Sequence, residues 1–112
     1  MIPKRGEIWW VNFEPSVGTE IKKTRPALII SNNMANEKST RITVIPMTSR
    51  IIDLPIVVIV EADKNNNLSN TSLIKIPDLA TFDKSRLKGK IGVLSNKKLV
   101  EVQTKLKIHL SL

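Results

Sequence analysis

"RPALIISN", residues 25–32, is apolar without interruption from Pro26 to Ile30, as a strand buried on both faces would be. The stretch before it has the opposite character. "GTEIKKT" (18–24) is a polar loop carrying Lys22, Lys23 and Thr24, and it delivers Arg25 to the mouth of the strand. Proline fixes its own φ and keeps the preceding residue extended, so Pro26 locks Arg25 in place. A guanidinium stopped at a strand entrance is a fixed positive charge.

Outward from this strand, "EIWWVNF" (7–13) is rich in aromatic and β-branched residues and stops at Glu14-Pro15. "RITVIPMT" (41–48), "IVVIVEA" (56–62), "TSLIKI" (71–76) and "GKIGVL" (89–94) bring the total to about six strands, joined by turns of which "DKNNNLSN" (63–70) is the plainest. Pro46 cannot donate to a ladder, which predicts an edge or a bulge just before Thr48. "FDKSRL" (82–87) reads as a short helical turn. The one long helix is terminal: Ser95 is an N-cap, and Leu99, Val102, Leu106 and Leu110 follow on one face. The pattern predicts an α+β, mainly β molecule, a small barrel or strongly curled sheet with a helix covering one side, as a single domain over residues 1–112. A barrel this small has almost no interior, so chemistry belongs on its loops or between copies.

The 112 residues hold no cysteine and no tyrosine, and His109 is the lone histidine. Disulfides, thiol nucleophiles and thiolate metal sites are thereby excluded. For a serine hydrolase triad the one histidine, His109, lies near the chain end on a helix and there is no G-x-S-x-G, and four glycines form no phosphate or dinucleotide loop. Asp53, Glu61, Asp63, Asp78 and Asp83 form no metal-ligand spacing and suit turns and caps, so neither a metal nor a cofactor is expected. No run approaches the roughly 20 apolar residues of a membrane span, and the start lacks a signal peptide. A cytoplasmic location is therefore expected. Eighteen Lys and Arg against ten Asp and Glu give a net charge of +8, an attraction for polyanions such as RNA, DNA or an acidic protein tail.

One reaction fits this short inventory. RNA is cleaved when its own 2′-hydroxyl attacks the adjacent phosphorus, and the protein then needs only to align the linkage and stabilise the added negative charge. Arginine matches phosphate oxygens with its planar fork, and a threonine hydroxyl adds a neutral donor. If residues 25–32 and 41–48 pair as an antiparallel hairpin, Arg25 and Thr48 become neighbours. The competing structural reading is an edge charge and a turn residue.

"KRGEIWWVNFEPSVGTEIKKTRPALIISNN", "VIPMTS" and "TFDKSRL", taken in that order, resemble the signature of the MazF/PemK family of toxins, sequence-specific messenger-RNA endoribonucleases of toxin–antitoxin modules. The resemblance runs almost end to end. It implies an SH3-like curled β-barrel with a C-terminal helix and a homodimer whose interface forms the groove for single-stranded RNA. It places Arg25 and Thr48 on the catalytic arginine and threonine, and it implies metal-independent cleavage to a 2′,3′-cyclic phosphate and a free 5′-hydroxyl. The Thr19–Thr24 loop resembles the segment that covers the groove in this family. Thr19, Glu20, Lys22, Lys23, Ser49 and Arg50 are the accompanying RNA-contact candidates, Glu20 also for proton transfer. Where many relatives have glutamine and arginine, this chain has Asp78, Leu79 and Ala80; Asp78 then accepts from a base amine, and Lys75 compensates the missing charge.

An acidic antitoxin partner follows from the resemblance, and a basic groove independently suits an acidic tail that folds onto it. Two other functions stay open at this point: a non-enzymatic toxin like the CcdB relatives that binds DNA gyrase, and a non-catalytic SH3-like nucleic-acid binding module.

Overall fold

The computed structural model describes residues 2–13 and 24–112. Its elements are β1 (Glu7–Asn12), β2 (Thr24–Ile29), α1 (Asn33–Lys38), β3 (Arg41–Thr48), β4 (Val57–Val60), β5 (Ser72–Lys75), β6 (Ala80–Asp83), β7 (Leu87–Val93) and α2 (Asn96–Leu110), with 3₁₀ turns at Ile76–Asp78 and Lys84–Arg86. All strand pairings are antiparallel, in the order β4-β5-β3-β2-β1-β7, and β6 adds to β3. The mainly β sheet with a C-terminal helix is the expected architecture, with seven strands among the described residues where the sequence indicated about six. The extra strand, β6, is only four residues long and alternates between partly buried and exposed positions. The helical turn expected from 82 begins at Lys84 instead, because Asp83 remains extended and its carboxylate accepts from the Ser85 amide at 2.9 Å.

Strand β2 is buried on both faces as its composition required: Ala27, Leu28 and Ile29 are all fully buried. Side chains alternate along a strand, so β2 divides between two apolar clusters. Leu28 and Ile30 join Ile8, Ile45, Met47, Val58, Ile74, Ile76 and Val102 on the face covered by α2. Ala27 and Ile29 join Trp9, Val11, Ile42 and Val44 on the other, with Phe13, Phe82 and Leu87 at its margin. Each large side chain buried this way stabilises the fold by about 1.5–3 kcal/mol.

Pro46 is neither at an edge nor in a bulge of β3. The Thr43 carbonyl faces β2, where it accepts from Ile30 N–H at 3.0 Å, so by alternation Pro46 faces the opposite edge. On that edge β3 pairs β6 through Arg41–Val44 and β5 through Met47 and Thr48. The missing N–H falls in the gap between these two partners, where nothing was present to accept it.

Ser95 caps α2 by accepting from Lys98 N–H at 3.2 Å. Val102 is buried and Leu99 and Leu106 pack beside it, but Leu110 at the end of the helix is exposed and joins neither apolar cluster. Lys105 donates to the Val57 carbonyl at 2.9 Å and Arg5 to Gln103 Oε1 at 2.7 Å, tying the helix to β4 and to the chain start. The unanticipated α1 has only six residues; Asn32 caps it by accepting from Ala35 N–H at 2.8 Å.

Two positions test this description. A methyl group on Gly92 would lie 2.4 Å from the Asn66 carbonyl oxygen, which backbone cannot yield cheaply. Gly92→Ala is expected to destabilise by about 1–3 kcal/mol in urea titration. Burial raises the pKa of Glu7, but bonds from the Trp9 indole, the Lys4 amide and Lys90, together with the Lys90 charge, outweigh it and hold the group below its ordinary value. A depressed carboxylate stabilises above its unfolded pKa and loses that contribution as pH falls through the folded one. Glu7→Gln is therefore expected to cost about 1 kcal/mol or less at neutral pH, a difference that closes on acidification below the ordinary carboxylate range.

Candidate functional site

Thr24 and Arg25 are exposed and Pro26 is half-buried where β2 begins. β1 holds this end of the strand, pairing Asn12 with Thr24, Val11 with Arg25 and Trp10 with Pro26. The β2–β3 register sets Ala27 opposite Pro46 and Leu28 opposite Ile45. Carried two residues further, it sets Arg25 opposite Thr48. On its other edge Thr48 is paired with Leu73 of β5. Each of the two residues is thus anchored by a different neighbouring strand, Arg25 by β1 and Thr48 by β5, and the β2–β3 pairing of the expected hairpin, extended past Ala27 and Pro46, points them to one row of the sheet.

Alternation also fixes the face. Arg25 follows Ala27 and Ile29, and Thr48 follows Val44 and Ile42, so both belong to the face turned away from α2. Opposed residues in an antiparallel pair have Cβ atoms roughly 4.5–5.5 Å apart, a separation that a guanidinium and a hydroxyl need in order to share one anion. The Thr48 Oγ1 accepts from the Arg50 amide at 3.1 Å. A hydroxyl whose oxygen is occupied this way keeps its proton for an outside acceptor. Among the described residues Arg25 meets no carboxylate within ion-pair distance.

Ser49 and Arg50 follow Thr48 and are exposed. Lys75 lies on the same face of β5 as Leu73, about 7 Å further along the strand, and it pairs with Asp78 at 3.1 Å. These two candidates are joined to each other, where the sequence reading gave them separate tasks. Together they line a hollow of about 340 Å³ with Ile52, Leu54, Pro55, Ile56 and Pro77. Thr19, Glu20, Lys22 and Lys23 lie outside the described residues.

Arg86 was not singled out from sequence, although it stands in "TFDKSRL". Its Nη1 donates to the Asn12 carbonyl at 3.1 Å, and its guanidinium lies 5.4 Å from the centre of the Phe82 ring, itself edge-on to Phe13 at 5.3 Å. Asn12 is the partner of Thr24, so Arg86 adds a second held cation at the end of the sheet where Arg25 stands. No residue spacing announces this; it depends on β7 returning beside β1. Among the described residues no three His, Asp or Glu side chains gather as a metal site, and no helix is long and apolar enough to cross a membrane.

The sequence matches, over residues 4–110, the family described as PemK-like, MazF-like toxin of type II toxin-antitoxin system. Endoribonuclease MazF of Staphylococcus saprophyticus is 36% identical over 110 residues, covering 97% of this chain and 92% of its own. Endoribonuclease MazF9 of Mycobacterium tuberculosis is 35% identical over 115 residues, 97% of each chain. In three dimensions the chain is similar to a MazE–MazF crystal structure from Deinococcus radiodurans, with a TM-score of 0.83, 26% identity, and coverage of 100% of this chain and 98% of that one.

Proposed function

The chain belongs to the PemK-like, MazF-like toxin family of type II toxin–antitoxin systems, and we propose that it is an endoribonuclease that cuts single-stranded messenger RNA at specific sequences. The observation that supports the chemistry is the β2–β3 register, which, extended by two residues, puts an exposed arginine opposite a threonine whose hydroxyl donates to no partner among the described residues. Endoribonuclease is also the name of both relatives along nearly the whole chain.

The 2′-oxygen of the substrate attacks the adjacent phosphorus, a P–O bond forms, and the bond from phosphorus to the 5′-oxygen breaks. The products are a 2′,3′-cyclic phosphate and a 5′-hydroxyl. Arg25 pairs with the non-bridging oxygens as their charge grows, and Thr48 donates its hydroxyl to one of them. A guanidinium does not surrender its proton near neutral pH, so Arg25 serves as a charge stabiliser. The proton lost by the 2′-oxygen goes to a carboxylate or water, with Glu20 the candidate, and one returns to the leaving 5′-oxygen. Thr19, Lys22 and Lys23 before Arg25, Ser49 and Arg50 after Thr48, and the Lys75–Asp78 pair would hold the flanking nucleotides.

We propose a homodimer that walls the RNA groove. Ile51, Ile52 and Ile59 are exposed, and Ile59 lies in the cross-strand row of Leu73 and Thr48, so apolar surface for such a contact adjoins the site. An acidic antitoxin segment is the proposed inhibitor. One structural neighbour is a MazE–MazF assembly, and a +8 chain attracts the same kind of charge in a peptide as in RNA.

Incubation with a long single-stranded RNA in excess chelator, followed by mapping of fragment ends, tests this reading. Wild type is expected to leave 2′,3′-cyclic phosphate and 5′-hydroxyl ends at defined sites. Arg25→Ala is expected to slow cutting at least about 100-fold, and Thr48→Val roughly 10- to 100-fold with RNA affinity retained. RNA bound but uncut would favour a binding module, and intact RNA with trapped gyrase a CcdB-like toxin.

A further inference from the structure

The face of the sheet opposite Arg25 and Thr48 holds a hollow of about 290 Å³ that the proposed chemistry does not use. Its wall includes Trp10 and Pro26, which are cross-strand partners, and Ser49, the residue after Thr48. Trp9 is packed in the core, whereas Trp10 is 43% exposed and brings a large aromatic ring to the wall of the hollow.

The facing wall is the segment 67–70, which sequence suggested was merely a turn. It is built as a rigid piece. Asn66 is buried, its amide nitrogen donating to the Glu61 carbonyl at 3.0 Å and its oxygen accepting from Asp63 and Leu68 amides at 3.0 Å each. Asn67 adopts a left-handed φ of 55° and donates to the Ile91 carbonyl at 2.9 Å, and Val93 donates to the Asn65 carbonyl at 2.9 Å. The loop is thereby clamped along β7. Beyond that clamp, the hydroxyls of Ser49 and Ser69 and the side-chain amide of Asn70 enter no hydrogen bond among the described residues, and all three line the hollow.

An aromatic plane opposed by unspent amide and hydroxyl groups is the chemistry that holds an unstacked nucleobase: the ring stacks, and the donors and acceptors meet the base edge. An apolar protein surface would leave those groups desolvated and unpaired. We propose that this hollow takes one nucleobase of the single-stranded RNA, next to the linkage held by Arg25 and Thr48, with Trp10 stacking on it and Asn70 reading its edge. The assignment rests on the nuclease reading above and adds a specificity site to it. Pro26 and Ser49 join the two places directly, since each is the chain neighbour of one member of the pair.

The test uses the full chain with Trp10→Ala, Trp10→Phe and Asn70→Asp. Cleavage is scored on a randomised RNA pool and on one substrate for kcat and KM, and binding on an RNA made uncleavable by a 2′-deoxy group. Trp10→Ala is expected to raise KM roughly tenfold to a hundredfold while kcat falls far less, and Trp10→Phe to restore most of the loss. Asn70→Asp, which replaces a donor with an acceptor, is expected to change the preferred base at one position beside the cut. Unchanged KM and unchanged base preference in all three variants would overturn the assignment. So would a change of oligomeric state in Trp10→Ala by light scattering, which would make the hollow a contact between copies. If Trp10→Ala fails to fold, Trp10→Phe and Asn70→Asp decide the question. Trp10-dependent binding of RNA that is never cut would keep the base site and reject only the nuclease reading, whereas cutting indifferent to Trp10 and Asn70 would do the reverse.

Discussion

Strand β3 meets three other strands, and the way it shares them depends on one absent hydrogen. β2 occupies one edge, while β6 and β5 divide the other. Pro46 stands at the division, where its missing N–H has no acceptor to disappoint. Since β5 takes over beyond Pro46, Thr48 is carried to the end of β3 as a paired residue of the sheet. Thr48 is therefore held by its β5 pairing, and the phosphate contact proposed for it would gain its precision from that.

The same period of two that buries β2 on both faces decides what its first residues do. Ala27 and Ile29 are drawn into one cluster and Leu28 and Ile30 into the other. Arg25 and Pro26 continue that alternation past the point where the sheet is covered. The helix α2 protects only the Leu28 face, through Leu99, Val102 and Leu106. The Arg25 face at this end has Phe13, Phe82 and Arg86 at its margin, and Arg86 is itself anchored on a backbone carbonyl and an aromatic ring. Cations fixed by such contacts need little reordering when an anion arrives, which is the condition for electrostatic stabilisation to favour a transition state.

Much of this was legible in the sequence because it depends on local rules. The bounds of β3, the Ser95 cap and the burial of β2 follow from alternation, capping chemistry and an unbroken apolar run. The antiparallel pairing of β2 with β3, from which the proposed Arg25–Thr48 juxtaposition is extended, needed only one hairpin register. What escaped depends on partners remote in the chain. β6 has too few residues to show a period and exists because β3 has a free edge for it. Leu110 keeps the helical spacing but is exposed and packs in neither apolar cluster. Asn66 looks like any turn asparagine until Gly92 comes close enough to exclude even a methyl group. Lys75 and Asp78 are three residues apart, and only the 3₁₀ turn at Ile76–Asp78 closes them into a pair.

Were phosphate and base held on opposite faces of one strand end, as proposed, that division would have a consequence for how such a protein changes. A nucleotide's backbone and base diverge from the sugar, so a strand whose successive residues point in opposite directions can grip both without a deep pocket. The pair at Arg25 and Thr48 depends on register, which a one-residue slip would destroy for the entire core. The loop 63–70 depends mainly on its own asparagines and on a narrow contact with β7. Substitutions at its outward positions, Ser69 and Asn70, leave both apolar clusters untouched. The groups that would read sequence are therefore free to vary, whereas those that would cut are fixed by the same contacts that make the chain fold.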